Sequence, residues 1–328
     1  MQIDIARETW RLHKPFRIAR CVITESYIVR VTLRDGGVEG QGEAEAHESD
    51  LAELESVVAA IEGHRDAIAA GADWATALAS VSHPRARNAL DCAWWDLNAK
   101  RSGIPAWRAA GLAPPTPVVT AYTICLDDID AMADHARQVR HRKLLKIKLG
   151  SPDGDVERMR AVRAAAPDAT LIVDANEGWS FDQLAAYAMP LAELGVQLIE
   201  QPLPAGRDAV LADFRSPVPL CADESCHDRR DLPRIAGRYR FINIKLDKAG
   251  GLTESLALAR EARELGLDIM VGCMVGTSLA MAPATLVAGL ARYADLDGPL
   301  MLGHDRPTAL AYDDETSLVS APTPALWG

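Results

Sequence analysis

Hydrophobic and polar positions change period along this chain of 328 residues, and the changes mark its elements. Residues 2–11, 24–34 and 37–44 alternate, so successive side chains point to opposite faces of a strand. Arg34-Asp35-Gly36-Gly37 supplies the hairpin turn between the second and the third, and the loop between the first two holds Lys14, Arg17 and Arg20. From Asp50 to Glu62 the period becomes helical, with Leu51, Leu54, Val57, Val58 and Ile61 on one face. Pro84 can open another helix, over 85–101. An antiparallel sheet followed by helices predicts an α+β module.

Pro114, Pro115 and Pro117 mark a joint. After it, short apolar strands alternate with amphipathic helices. The strands fall at Val118–Ile124, Leu144–Leu149, Thr170–Asp174, Gln197–Glu200, Leu220–Asp223, Phe241–Lys245, Asp268–Val271 and, more weakly, Tyr293–Asp295. The clearest helices are Asp155–Ala166 and Thr253–Leu265. The pattern predicts an α/β protein, a (β/α)7-8 TIM-type barrel. An α+β capping domain would form from the N-terminal part and the C-terminal tail. The expected limits are 1–113 for the cap, 114–303 for the barrel and 304–328 for a segment returning to the cap. A doubly wound open sheet is the competing architecture. It usually has a Gly-rich phosphate turn after its first strand, which Thr120-Ala-Tyr-Thr-Ile-Cys125 lacks.

Composition narrows the function. Hydrophobic residues make up 48%, enough for a sizeable core, and the formal charge is −11 with no basic run, which argues against nucleic acid and anionic membranes as partners. No apolar run has membrane-spanning length, and the N-terminal residues lack the layout of a secretion signal. The six cysteines (21, 92, 125, 221, 226, 273) are scattered, and a reduced, cytoplasmic protein is expected. Cys221 and Cys226 lack the neighbours of a zinc site. The sequence leaves homo-oligomerisation open.

In Lys143–Gly150 the side chains of Leu145, Ile147 and Leu149 share one face, and those of Leu144, Lys146 and Lys148 the other. Two cations on one face belong either to a solvated edge strand or to a buried pair of working amines. In a barrel the loops after the strands build the site, so polar residues at strand ends are candidates. Those ends carry Lys146 and Lys148, Asp174-Ala175-Asn176, Glu200-Gln201-Pro202, Ala222-Asp223-Glu224, Ile244-Lys245 and Asp295-Leu296-Asp297. Asp174, Glu200 and Asp223 would converge from three adjacent strands, and crowded carboxylates repel unless a cation sits among them. Hard oxygen donors point to Mg²⁺, or Mn²⁺, one per chain. The other reading is neutralisation by the nearby lysines without metal. Lys148 and Lys245, on strands four apart in a ring of eight, would face each other. That arrangement suits removing a proton α to a carboxylate from one side and returning it to the other, with Lys146 lowering the pKa of Lys148 by like-charge repulsion. Asp295 and Asp297 would lie away from the metal, either holding an ammonium group or forming a turn. Arg20 either grips a second carboxylate or is solvated. A Schiff-base aldolase using Lys148 or Lys245, and a barrel that binds ligands without turnover, are the readings from other classes.

Lys146-Ile147-Lys148, Asp174-Ala175-Asn176, Glu200-Gln201-Pro202, Ala222-Asp223-Glu224-Ser225 and the run Asn243 to Gly251 resemble the enolase superfamily, muconate-lactonizing subgroup. The resemblance spans essentially the whole chain. With Asp295-Leu296-Asp297, Gly272-Cys273-Met274 and Arg20 it extends to dipeptide epimerases, in particular bacterial L-Ala-D/L-Glu epimerases. It implies Lys148 and Lys245 as catalytic bases and Asp174, Glu200 and Asp223 as metal ligands. It also implies Arg20, Thr123, Lys146, Asp295 and Asp297 as contacts of a dipeptide substrate, with Asn176 and Glu224 behind them. The implied reaction is a two-base 1,1-proton transfer through a metal-bound enediolate at the C-terminal residue, useful in degrading murein peptides. N-succinylamino acid racemase, o-succinylbenzoate synthase and muconate cycloisomerase are alternatives within the subgroup. The loop Gly42–Asp50, with His47 as a substrate contact or a solvated residue, looks shorter than in L-Ala-D/L-Glu epimerases and lacks their aromatic and basic residues, so the preferred dipeptide does not carry over.

Overall fold

The computed structural model describes residues 1–46, 50–70 and 73–328; His47 lies outside them. Strands β1 (Gln2–Arg17), β2 (Val22–Asp35) and β3 (Val38–Glu45) form an antiparallel sheet. β1 runs longer than its alternation predicts. Its pairing breaks after Arg11 and resumes as Phe16↔Ile23 and Arg17↔Val22, so Lys14 and Arg17 are strand residues and only Arg20 lies in the bend. Gly36 and Gly37 turn the β2–β3 hairpin with φ of 58° and 82°, a conformation glycine adopts without steric cost. The helix Pro84–Ser102 lies flat on β3 because Gly40 and Gly42 have no Cβ. One added there would come within 2.2 Å of Leu97 N and 2.1 Å of Ala89 O.

The barrel strands are β4 (Tyr122–Ile124), β5 (Leu144–Lys148), β6 (Thr170–Asp174), β7 (Val196–Glu200), β8 (Leu220–Ala222), β9 (Phe241–Ile244), β10 (Asp268–Val271) and β11 (Tyr293–Ala294). All are parallel and each pairs with its neighbours in sequence. The two edges meet where Thr120 bridges Ala294 and the Ala121 N–H donates to Ala294 O at 2.8 Å. A doubly wound sheet would reverse its strand order at a switch point; this one curls round in sequence.

Alternation along these strands sorts the core into two parts. Leu145, Ile147, Leu149, Val173 and Ile199 face outward into the layer shared with the helices. Ala121, Leu144, Ile172, Leu198, Cys221, Phe241 and Met270 face inward and pack, with Tyr293, into an apolar floor across the barrel. Cys226 belongs to the outer layer and Cys221 to the floor, so the two do not face one another.

The cap is fastened to the barrel by buried charge. Glu43 of β3 accepts from the Thr277 N–H at 2.7 Å, from the Thr277 hydroxyl, and from Arg306 Nη2 at 2.8 Å. Arg306 also reaches Glu8 of β1 at 2.7 Å. Burial pushes the Glu43 pKa up against the pull of Arg306. The C-terminal segment continues from Arg306 to pair Leu318–Val319 with Val118–Val119, and ends with the Trp327 indole on Cys92 O. Arg306→Ala strips the cation from a buried carboxylate and should cost roughly 3–5 kcal/mol. Urea unfolding should show it as a lower midpoint at unchanged slope. A loss below about 1 kcal/mol, the range of an exposed pair, would contradict it.

Candidate active site

Two residues beyond each floor position, the inward-facing residue changes character. The set becomes Thr123, Lys146, Asp174, Glu200, Asp223, Asn243, Gly272 and Asp295, one from each strand or its end. Seven of the eight are polar and buried. Lys148 and Lys245 stand one step further out, on β5 and just past β9. A cavity of about 460 Å³ opens above, within the range of small-molecule sites. Lys146, Lys148, Lys245, Asp223, Asp295 and Asp297 line it, and Arg20 and Phe16 reach it from the cap.

The structure brings the three acidic strand ends together through lysines. Asp174 pairs in register with Glu200, and Glu200 with Cys221, two residues before Asp223. Lys146 Nζ lies 3.1 Å from Asp174 Oδ2, 2.7 Å from Glu200 Oε2 and 2.7 Å from Asp295 Oδ2. Lys148 Nζ donates to Asp174 Oδ2 at 2.7 Å and to Asn176 Oδ1 at 3.1 Å. Lys245 Nζ donates to Asp223 Oδ2 at 2.7 Å. The repulsion expected between Lys146 and Lys148 is thus offset by Asp174, which both approach. Burial alone would lower the Lys146 pKa, but Asp295 and Glu200 hold it well above its ordinary value. Lys245 is likewise raised, by Asp223 against burial. Asp174 and Asp223 are lowered despite burial, chiefly by Lys148 and by Lys245 respectively. Glu200 goes the other way: burial and then the charge of Asp174 raise it.

Asp295 does not lie apart from the acidic strand ends. The long Lys146 side chain crosses the barrel and joins it to Glu200 and Asp174. Asp297 accepts from the Thr123 N–H at 2.7 Å, and burial and Asp295 raise its pKa. Arg20 Nη1 donates to Glu224 Oε1 at 2.8 Å and to Asn176 O at 3.3 Å, so its guanidinium faces the acidic end of the cavity. Phe16 places its ring 5.6 Å from Lys148 Nζ.

Three further residues belong to this site, each within a motif that carries the family resemblance. Asn243 Nδ2 donates to Glu200 Oε1 at 2.6 Å. Lys248 Nζ donates to Asp223 Oδ1 at 2.5 Å. Gln201 Oε1 accepts from the Asp223 N–H at 2.9 Å and the Ser225 N–H at 3.0 Å, fixing the backbone that carries Asp223. Asn243 shares the inward face with Lys245 two residues on, so alternation alone could have found it.

The donor set fits a hard divalent cation: three carboxylates on consecutive strands, with no imidazole or thiolate among them. Glu200 Oε2 is buried and has no hydrogen-bond partner among the described residues; Lys146 is near it in distance but at the wrong angle. As the side chains stand they turn to the lysines. Among the described residues no group of three or more acidic, His or Cys side chains is already gathered as a cation cage.

Residues 1–111 match the mandelate racemase / muconate lactonizing enzyme N-terminal domain, and residues 131–321 the enolase C-terminal domain-like family. An L-Ala-D/L-Glu epimerase of Escherichia coli is 44% identical over 327 residues, covering 94% of this chain and 97% of the relative. An N-acetyl-D-glutamate racemase of a Pseudoalteromonas species is 50% identical over 245 residues, 74% of this chain and 76% of the relative. Among solved structures, an enolase-family protein of Agrobacterium tumefaciens with homology to dipeptide epimerases holds sodium and L-Ala-L-Glu. It superposes with a TM-score of 0.94 at 49% identity over 99% of each chain. A dipeptide epimerase of Methylococcus capsulatus, complexed with Mg and L-Arg-D-Lys, superposes with a TM-score of 0.88 at 31% identity over 98% of this chain and 96% of that one.

Proposed function

The chain belongs to the mandelate racemase / muconate lactonizing enzymes of the enolase superfamily, and we propose that it is a Mg²⁺-dependent dipeptide epimerase inverting the α-carbon of the C-terminal residue. One observation carries this: two buried lysines on strands four apart in a ring of eight flank a single carboxylate cluster.

Lys148 and Lys245 look at the space between them from opposing walls. One takes the α-proton from its side, and the other delivers a proton to the opposite face. In the reverse direction they exchange roles, so both stereoisomers are substrates. Each must be neutral to accept a proton. Burial disfavours a charged amine, and Asp223 offsets that at Lys245, whose pKa it holds above the ordinary lysine value. Asp174, Glu200 and Asp223 would hold Mg²⁺, one per chain, as enolase-superfamily sites do. Mg²⁺, when bound, supplies the Lewis acidity that makes a proton α to a carboxylate removable.

Asp295 and Asp297 face the substrate α-ammonium, with Thr123 fixing the second of them, and Arg20 faces a side-chain carboxylate. Asp297→Asn should lower kcat/KM for dipeptides about 10–100-fold, the worth of a charge-assisted hydrogen bond. N-acylated amino acids, which carry no ammonium, should lose far less; equal losses would remove this role.

The second reading is an N-acylamino acid racemase. The hydrogen bond from Lys146 to Asp295 Oδ2 favours it, because it already offsets part of the charge the ammonium would meet, leaving only Oδ1 of that carboxylate without a partner among the described residues. Dipeptides and N-acylamino acids incubated in heavy water with Mg²⁺, and scored for α-deuterium, separate the two. Uptake confined to N-acyl compounds would displace the dipeptide reading. The finer assignment, L-Ala-D/L-Glu turnover, draws its support from the Escherichia coli and Agrobacterium tumefaciens relatives, and breakdown of murein peptides in the cytoplasm is the setting proposed for it. The same screen tests it by whether L-Ala-L-Glu ranks first.

A further inference from the structure

We infer that Asn243 and Lys248 are positioning residues that fix which divalent ion the site accepts, by leaving Glu200 and Asp223 one oxygen each to offer. The inference rests on the proposed reading of Asp174, Glu200 and Asp223 as the cation's ligands.

Each carboxylate has one oxygen held by a fixed donor and one turned toward Lys146, Lys148 or Lys245. Asp174 Oδ1 accepts from the Asn176 N–H at 2.9 Å, while Oδ2 faces the lysines. Glu200 Oε1 accepts from Asn243 Nδ2 at 2.6 Å, while Oε2 lies toward Lys146 without a hydrogen bond. Asp223 Oδ1 accepts from Lys248 Nζ at 2.5 Å, while Oδ2 faces Lys245 at 2.7 Å. Packing and hydrogen bonds confine the Asn243 and Lys248 donors. Asn243 is fully buried, and its amide lies so close to Gly272 that an added Cβ there would sit 2.6 Å from Asn243 Oδ1. The Lys248 ammonium is further fixed by three backbone carbonyls, Asp223 O at 2.5 Å, Cys226 O at 2.9 Å and Asn243 O at 3.1 Å.

The pattern discriminates between ions. Mg²⁺ is small and demands an octahedron of single oxygens, whereas Ca²⁺ takes six to eight and accepts both oxygens of one carboxylate. Three carboxylates that each present one oxygen match the first ion and under-supply the second. Freeing Glu200 Oε1 or Asp223 Oδ1 lets the carboxylate swing to two-oxygen contact, which Ca²⁺ tolerates and Mg²⁺ does not.

The test is calorimetric titration of the full-length protein with MgCl₂ and with CaCl₂, for wild type, Asn243→Leu, Lys248→Met and Lys248→Arg. Wild type should bind one Mg²⁺ per chain. Asn243→Leu and Lys248→Met should weaken Mg²⁺ about 10–100-fold, the usual effect of losing a group that orients a ligand. Ca²⁺ should weaken less, shifting the ratio of the two affinities toward Ca²⁺. Lys248→Arg, which keeps the charge and the donors, should restore much of the wild-type ratio. If either Leu or Met variant fails to fold, Gly272→Ala, which pushes the Asn243 amide aside, should shift the ratio the same way. Wild-type ratios in the variants, with Mg²⁺ binding intact, would overturn the inference and leave the ligand reading standing. Absence of Mg²⁺ binding in the wild type would overturn the ligand reading itself.

Discussion

Lys148→Ala and Lys245→Ala should each lower epimerisation by about 10²–10⁴-fold, the contribution of a positioned base. The loss should be the same in both directions, because each turnover needs both amines. The variants should differ in what they retain. A protein with one lysine can still exchange the α-proton of the stereoisomer whose hydrogen faces that lysine. Lys148→Ala and Lys245→Ala should therefore exchange opposite stereoisomers in heavy water, as read by loss of the α-proton signal. Both lysines hold carboxylates that a cation would also need, through the contacts Lys148–Asp174 and Lys245–Asp223. Metal binding should consequently survive either substitution. Full two-way turnover in either variant would refute opposed bases.

Glu200→Gln and Asp223→Asn should remove tight Mg²⁺ binding and lower kcat/KM by about 10³-fold or more, equivalent to several kcal/mol of lost charge stabilisation. The two should differ in stability. Asp223→Asn leaves Lys245 and Lys248 without the carboxylate they share, so the variant should unfold at lower urea concentration than wild type. Glu200→Gln removes a carboxylate that burial and Asp174 already push toward its neutral form, so its stability should hold or rise. Chelation of wild type should abolish turnover and added Mg²⁺ should restore it. Turnover that persists after chelation would favour metal-free chemistry.

Much of this architecture is legible in the chain because a strand's period of two is simple. Leu144, Lys146 and Lys148 share a face whatever their neighbours are, and the same holds for Ile172 with Asp174 and Phe241 with Asn243 and Lys245. The apolar floor and the polar layer above it follow from that period applied to eight strands. Most strand ends followed within a residue or two, as with 144–148 against an expected 144–149, but the strand expected over Val118–Ile124 is divided into Val118–Val119, which pairs with the C-terminal tail, and Tyr122–Ile124 of the barrel.

Reach was not legible. Alternation places Asp295 on a wall but does not say that Lys146 is long enough to cross to it. The prolongation of β1 past its bulge needs the pairing with β2, since Lys14 and Pro15 carry no strand signal of their own. Lys248 follows Lys245 by three residues in a helical turn, a spacing that brings both ammonium groups to Asp223 only because the strand ends there. The docking of Arg306 on Glu43 joins positions 263 residues apart, which no local pattern anticipates.

Incubating wild type with L-Ala-L-Glu and Mg²⁺ in heavy water, and following the α-position by proton NMR and mass spectrometry from the first turnover, tests the opposed bases most directly. Two lysines on opposite walls require each newly formed epimer to carry one solvent deuterium while the unreacted substrate stays largely unlabelled. Epimer that retains the original proton, or no inversion at all, would contradict them.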